Sequence, residues 1–273
     1  MSTKTVYDPS QSSVQPAVSP QSSAGKESAW VPDLPPSSDE LIFDDGEPLE
    51  SNRHRIAMNV LIRSLKYHWR ERQDYFAGGN MFIYYSTRQV RNQDFRGPDF
   101  FVVLDTPHNP SRQGWVVWEE EGRYPDVIIE LLSQSTAAVD RGPKKELYAQ
   151  VFKTRDYFIY DPFAPDAFQG WTLDLSQGYR ELVPNEQGYL RSDALGLWLG
   201  HWHGLIEDDE TTWLRFFDEG GHLVLLPEEA AQQQAEQAQQ QVEQAQQQVE
   251  QERQQREALL AKLRERGIDP DSL

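Results

Sequence analysis

The chain has 273 residues, 38% of them hydrophobic, no cysteine, and a formal charge of −18 at pH 7. That is apolar sequence enough for one substantial globular domain with additions, and the lack of cysteine excludes disulfides and thiolate metal sites. The charge counts against tight nonspecific adhesion to nucleic acid, which normally rests on phosphate neutralisation. It is not a matter of the ends: 41–227 alone hold 19 basic and 29 acidic side chains. No apolar run reaches the length of about eighteen residues that marks a membrane span, and Met1–Thr5 leads into polar sequence without a signal-peptide core. We expect a soluble, cytoplasmic protein.

In chain order, residues 1–38 are rich in Ser, Gln and Pro and read as a disordered leader, with Trp30 and Leu34 as a short tether. A folded domain is expected over 39–227. Leu41 to Glu50 forms a turn, and Ser51 is the N-cap of a helix. Ile56, Val60, Leu61, Ile62, Leu65 and Trp69 recur at three- and four-residue steps, so the helix is amphipathic to about Arg72. Gly78-Gly79 closes the connection, and Met81–Tyr85 reads as a strand. Gly97-Pro98-Asp99 then heads a second apolar run, Phe100–Leu104.

The next run, Pro125–Leu132, is apolar on both faces, the mark of a central strand. Period-two alternation puts Asp126, Ile128, Glu130 and Leu132 on one face and Val127, Ile129 and Leu131 on the other. Ser133–Thr136 reads as a loop. Gly142-Pro143 starts a helix through Lys144, Leu147, Tyr148 and Val151, with Pro favoured in its first turn. Tyr157–Tyr160 is the following strand, and strand–helix–strand order predicts an α/β fold with a parallel or mixed sheet.

Short strands at Trp171–Leu173, Tyr179–Val183, Leu195–Leu199, Trp213–Phe217 and Leu223–Leu226 predict an antiparallel extension over 170–226. Over 228–267, Ala231, Ala238 and Ala245 repeat every seven residues, as do Ala235, Val242 and Val249, and Leu259 and Leu263 resume the frame. This is a weak coiled-coil seam, either a homodimerisation arm or a lone solvated helix. Gly267 stops it, and 268–273 are a tail.

A carboxylate inside a two-sided apolar strand is costly unless paired, hydrogen-bonded or bound to a cation. That singles out Glu130. With Asp99 on the neighbouring run and a lysine beyond, it makes a recipe for a divalent cation and an activated water. Each of these residues also has a plainer reading. Pro-Asp is an ordinary turn pair, Glu130 would pair with Arg141 or Lys145, Lys144 would be a solvated helix lysine, and Glu50 would sit at the positive end of the first helix. Asp126 reads as structural, Asp140 as a turn cap or Lys144 partner, and His201 and His203 as surface residues.

The order of pieces resembles the PD-(D/E)XK nuclease superfamily, and within it the Uma2 family of restriction endonuclease-like proteins. The matching segments are Asp45-Gly46-Glu47-Pro48-Leu49-Glu50, Gly97-Pro98-Asp99, Ile129-Glu130-Leu131-Leu132-Ser133, Asp140 with Lys144 and Tyr148, and Tyr157–Pro162. Ser192–Leu197, Trp213-Leu214-Arg215 and the coiled-coil tail extend the likeness over about 38–270.

The resemblance implies a restriction endonuclease-like core with a central mixed β-sheet flanked by helices, and Mg²⁺-dependent hydrolysis of DNA, with Mn²⁺ as a substitute. Asp99 and Glu130 would be catalytic and bind the metal, with the Leu131 carbonyl as a further ligand. Lys144 would orient water or stabilise phosphate charge, and Glu50 would complete the shell. The usual lysine position, two residues after the acid, is Leu132 here, so the role passes to Lys144 or Lys145; Lys144, four residues before Tyr148, fits the family pattern. Gln134 replaces a Pro of the pattern. The competing reading is an inactive nuclease-fold scaffold that recruits partners through its coiled coil.

Overall fold

The computed structural model describes residues 35–43, 50–92 and 97–266. The leader over 1–34, the Asp45–Leu49 part of the motif, and Gly267 with the tail lie outside the described residues.

Helix α1 (Asn52–His68) starts where the sequence puts it: the Ser51 hydroxyl accepts the His54 N–H, and Ile56, Val60, Leu61 and Leu65 make the buried stripe. It stops short of Arg72 because the Trp69 ring turns into the core against Tyr75, 5.0 Å away, and the chain reverses into a strand that the sequence did not announce. That strand is β1 (Tyr75–Gly78). After it come β2 (Ile83–Tyr84), a short helix α2 (Thr87–Asn92), β3 (Phe100–Leu104), β4 (Trp115–Val116) and β5 (Val127–Leu131). The expected 81–85 strand shrinks to the two residues of β2, paired in parallel with β4.

The segment 137–152 is helical throughout, although not uniformly α. It runs α3 (Ala137–Val139), a π-turn (Asp140–Lys144), α4 (Lys145–Leu147) and a second π-turn (Tyr148–Phe152), and ends at Lys153 with φ 56°. The helix thus begins five residues before Gly142-Pro143. Proline lacks an N–H and its ring strikes the carbonyl four residues back in an α-turn; the wider turn accommodates Pro143 inside the helix.

β6 (Asp156–Tyr160) returns parallel to β5, and β7 (Gln169–Asp174) and β8 (Gly178–Glu181) follow. The result is a six-stranded mixed sheet in the order β1-β3-β5-β6-β7-β8, in which β5 and β6 are the parallel pair. The 170–226 region therefore divides. β7 and β8 complete the main sheet, while β9 (Leu190–Ser192), β10 (Leu197–Ile206) and β11 (Asp209–Phe217) form a separate antiparallel sheet. The expected strand at 223–226 is a single bridge, Phe217 to Leu223.

The pleat sorts the core into layers. Val127, Ile129 and Leu131 pack with α1 and with Leu199, Trp213 and Phe216 of the three-stranded sheet. Ile128 and Leu132 face the other way, onto Tyr148, Phe152 and Trp115. β5 is therefore covered on both faces, as its apolar run demanded. The long helix α5 (Pro227–Glu265) has Pro at its first position, and its Glu229 side chain accepts the Leu226 N–H at 2.7 Å, half of a capping box. Among the described residues, no helix is long and apolar enough to cross a membrane.

Candidate active site

β3 and β5 run antiparallel with Phe100 opposite Ile129, so the register carries Asp99 to a place across from Glu130. The two residues interlock through the backbone. The Asp99 N–H donates to Glu130 Oε2 at 3.4 Å, and Asp99 Oδ2 accepts the Leu131 N–H at 2.8 Å. Leu131 thus meets the acids through its amide, while its side chain belongs to the core.

Glu130 is wholly buried. Its Oε1 accepts the Tyr148 hydroxyl at 2.7 Å and lies 3.1 Å from Lys144 Nζ. The same ammonium is 2.8 Å from Oδ1 of Asp140, which is also buried and has no other hydrogen-bond partner at that atom among the described residues. Asp140, Lys144 and Tyr148 are four residues apart and share one face of the 137–152 helix. Tyr157 on β6 fixes that helix by donating to the Asp140 carbonyl at 2.8 Å.

Glu130 and Asp140 thus share one ammonium, whose charge also reaches Asp99, and the titration of Asp99 and Glu130 reflects it. Burial, then the Glu130 charge, raises the Asp99 carboxyl well above the ordinary range; the Leu131 N–H and Lys144 pull it back, and Glu50 adds to the rise. Burial also raises Glu130, with Lys144 opposing and Asp140 adding to the rise. Burial alone would lower Lys144, but Glu130 and Asp140 outweigh it and hold the ammonium charged above the usual lysine value. Burial followed by the Glu130 charge pushes up the Tyr148 and Tyr157 phenols, so both remain donors. A buried group of hard oxygens with surplus negative charge suits a divalent cation. Among the described residues no cluster of three or more His, Cys, Asp or Glu is placed to hold a metal. A cation at Asp99 and Glu130 would therefore draw its other ligands from main chain, water and substrate, as Mg²⁺ habitually does.

The other sequence candidates fall as follows. Glu50 is exposed, one residue before the α1 cap; its charge reaches Asp99, but it forms no hydrogen bond with the pair. Lys145 points elsewhere, its Nζ 3.6 Å from the centre of the Trp171 ring. Asp126 Oδ2 accepts the Leu104 N–H at 2.8 Å and serves the sheet. His201 and His203 are exposed on β10, His201 resting against the Tyr160 and Phe168 rings.

Sequence reasoning passed over His54. It is buried in the first turn of α1, with Nδ1 2.8 Å from Ser51 Oγ and Nε2 3.1 Å from the Leu132 carbonyl. It ties the helix start that carries Glu50 to the end of β5. A histidine three residues after an N-cap serine was the one local signal available.

The family model described as "Uma2: Putative restriction endonuclease" matches residues 32–200, a span that includes every residue of this constellation. Among solved structures, the chain is similar to a putative nuclease belonging to DUF820 from Anabaena variabilis, at 12% identity, covering 54% of this chain and 76% of that one, with a TM-score of 0.39. No curated protein matches the chain significantly.

Proposed function

The chain belongs to the Uma2 family of putative restriction endonucleases, and from that premise we propose that it is a Mg²⁺-dependent nuclease that hydrolyses DNA phosphodiester bonds at a PD-(D/E)XK-type site. The observation that carries this reading is the Asp99–Glu130 pair, interlocked across β3 and β5, with Lys144 held 3.1 Å from Glu130. Asp99 and Glu130 would hold the metal, with the Leu131 carbonyl as a main-chain donor. Bound there, Mg²⁺ or Mn²⁺ supplies Lewis acidity toward the scissile phosphate and lowers the pKa of a coordinated water.

The chain's own groups do the rest. Tyr148 and Lys144 fix Glu130 through Oε1 so that Oε2 faces Asp99. Lys144, kept charged, orients the attacking water or donates to a phosphoryl oxygen as negative charge grows there. Asp140 positions Lys144 from its far side, and Glu50 sits at the exposed rim, where it would take a water-mediated place in the shell.

The test is calorimetric titration of Mg²⁺ and Mn²⁺ into the wild type and the Asp99→Ala/Glu130→Ala variant, with and without a short DNA duplex, followed by a cleavage assay at low salt. Saturable binding and cleavage by the wild type, both lost in the variant, are expected. If the wild type takes up neither ion even with duplex present, the hydrolytic reading fails. The internal closure of Glu130 by Lys144 and Tyr148 favours one alternative, a scaffold that retains the nuclease fold without the reaction, and that null result would select it.

A further inference from the structure

On a chain of net charge −18, one groove of about 650 Å³ has no acidic side chain among the described residues that line it. It lies between the second half of α1 and β1, the edge strand of the main sheet, and its cations are Lys66, Arg70, Arg72 and Arg112, with His108 beside them. One end reaches Gly79. A Cβ there would collide with the Asp99 carbonyl, and the next residue, Asn80, donates its N–H to the Pro98 carbonyl at 2.9 Å. The groove therefore abuts the loop that presents Asp99.

Its cations are not equally free. Arg72 is paired with Asp74 at 2.8 Å and Arg112 with Glu120 at 2.9 Å, while Arg70 has Glu71 at 3.8 Å as its acidic neighbour and donates to the Tyr67 carbonyl at 3.2 Å. Lys66, exposed at the groove, has no acidic partner within 4.0 Å among the described residues. Arg112 adds a second observation. Its side chain is only 5% exposed, yet Nη1 is buried without a hydrogen-bond partner. A buried guanidinium N–H left unmade is costly; the stack of Arg112 over the Phe76 and Trp115 rings, 5.4 and 5.1 Å from their centres, offsets part of that cost and holds its charge at the groove wall. The rings nearby are already engaged, Tyr75 with Trp69 and Phe76 with Trp115. The groove thus offers charge and donors rather than a stacking platform, the chemistry of backbone contact without base reading.

We propose that this groove seats the phosphodiester backbone of the nucleic acid on the flank of the Asp99–Glu130 site. The proposal rests on the nuclease reading and gives it a substrate path: a local cationic track that offsets the repulsion of an acidic protein.

Fluorescence anisotropy tests it, using the full chain, a labelled duplex of about 20 base pairs, EDTA in the buffer, and salt from about 50 to 200 mM. Wild type should bind with log K falling linearly in log salt. Lys66→Gln/Arg70→Gln should weaken binding about tenfold or more at the low-salt end and flatten the slope by about 2, close to one unit per lost phosphate contact. Arg141→Gln/Lys153→Gln, in the groove beside β8, should not weaken it. Thermal unfolding of each variant confirms that it is folded.

A slope unchanged in the Lys66/Arg70 variant, or a wild type that binds no duplex, overturns the groove even if Asp99→Ala abolishes cleavage. Conversely, binding lost in that variant alone, from a protein that neither takes up metal nor cleaves, supports the groove and removes the hydrolytic reading.

Discussion

Glu130 is fully buried and Lys144 mostly so, but removing them should have opposite consequences. Glu130→Gln sheds a buried charge, keeps an oxygen for the Tyr148 hydroxyl, and leaves Lys144 paired with Asp140. Its urea-unfolding free energy is expected within about 1 kcal/mol of wild type, since losing a buried ion is often neutral when the remaining charges stay paired. Lys144→Met strands Glu130 and Asp140 together with no cation, and breaking a buried pair in this way costs about 3 kcal/mol or more. If Glu130→Gln proves the less stable of the two, the charge account of the site is wrong. Both variants should lose cation uptake or catalysis, so stability separates their roles where activity does not.

The raised Asp99 and Glu130 carboxyls also fix a sign. Above the ordinary carboxylate range of about pH 4, the folded chain holds protons that the unfolded chain has released, so this pair makes stability fall as pH rises through their folded pKa values. Lys144 acts elsewhere: its stabilising contribution is complete below the ordinary lysine pKa and is lost only as pH climbs past it. A divalent cation must displace the carboxyl protons, so Mg²⁺ binding should release protons and weaken on acidification. Titrations in two buffers of different ionisation enthalpy would measure the release, and an uptake of protons would contradict it.

At the scale of elements, Asp156 on β6 joins the two sheets. It is buried, and its Oδ2 accepts the Ser192 hydroxyl at 2.8 Å and the Ala194 N–H at 3.0 Å, holding the turn between β9 and β10. Asp156→Ala leaves both donors unmet and should cost about 2–3 kcal/mol in urea unfolding, while Asp156→Asn keeps an acceptor and should cost about 1 kcal/mol. Metal titration should be unaffected in the Asn variant.

β3, β5 and β6 were readable because a strand buried on both faces writes a continuous apolar run, and the anomaly of Glu130 in such a run was readable for the same reason. The helix that serves Glu130 was only half readable. Ser133–Thr136 looks like a loop and Gly142-Pro143 like a helix start, so Asp140 was set outside a helix that in fact carries Asp140, Lys144 and Tyr148 on one face. A π-turn that passes a proline leaves no trace in a 3.6-residue periodicity. β1 was missed because Tyr-Phe-Ala-Gly is short and ends in Gly. The division of 170–226 between two sheets depends on which distant strand each segment pairs with, and local pattern does not encode that.

For the whole molecule, the outlying feature is α5. Its first turn is anchored: Arg215, wholly buried with its guanidinium 5.0 Å from the centre of the Trp202 ring, pairs with Glu229 at 2.7 Å, Arg63 pairs with Glu228 at 2.7 Å, and Ala230 is buried. From Ala231 onward nearly every described side chain is exposed. Pairs such as Gln232–Glu236 and Gln239–Glu243 add only about 0.2–0.5 kcal/mol each, and propensity alone gives an unpacked helix little stability, because most helical stability in proteins comes from packing. Val242 and Val249, 55% and 67% exposed and seven residues apart, continue the seam from Ala235. A second copy packed along that seam would remove them from water.

We therefore expect sedimentation equilibrium to show a concentration-dependent dimer, with helical circular dichroism rising in step. Val242→Asp/Val249→Asp should be monomeric and less helical, with the unfolding of the main body unchanged. A monomer of constant helicity at every concentration would instead make α5 a solvated rod. In the dimer two acidic bodies are tethered together, so association should strengthen with added salt as their repulsion is screened. That trend is opposite to the one expected for nucleic acid in the Lys66–Arg70 groove, and the two salt series together separate contact between copies from contact with substrate.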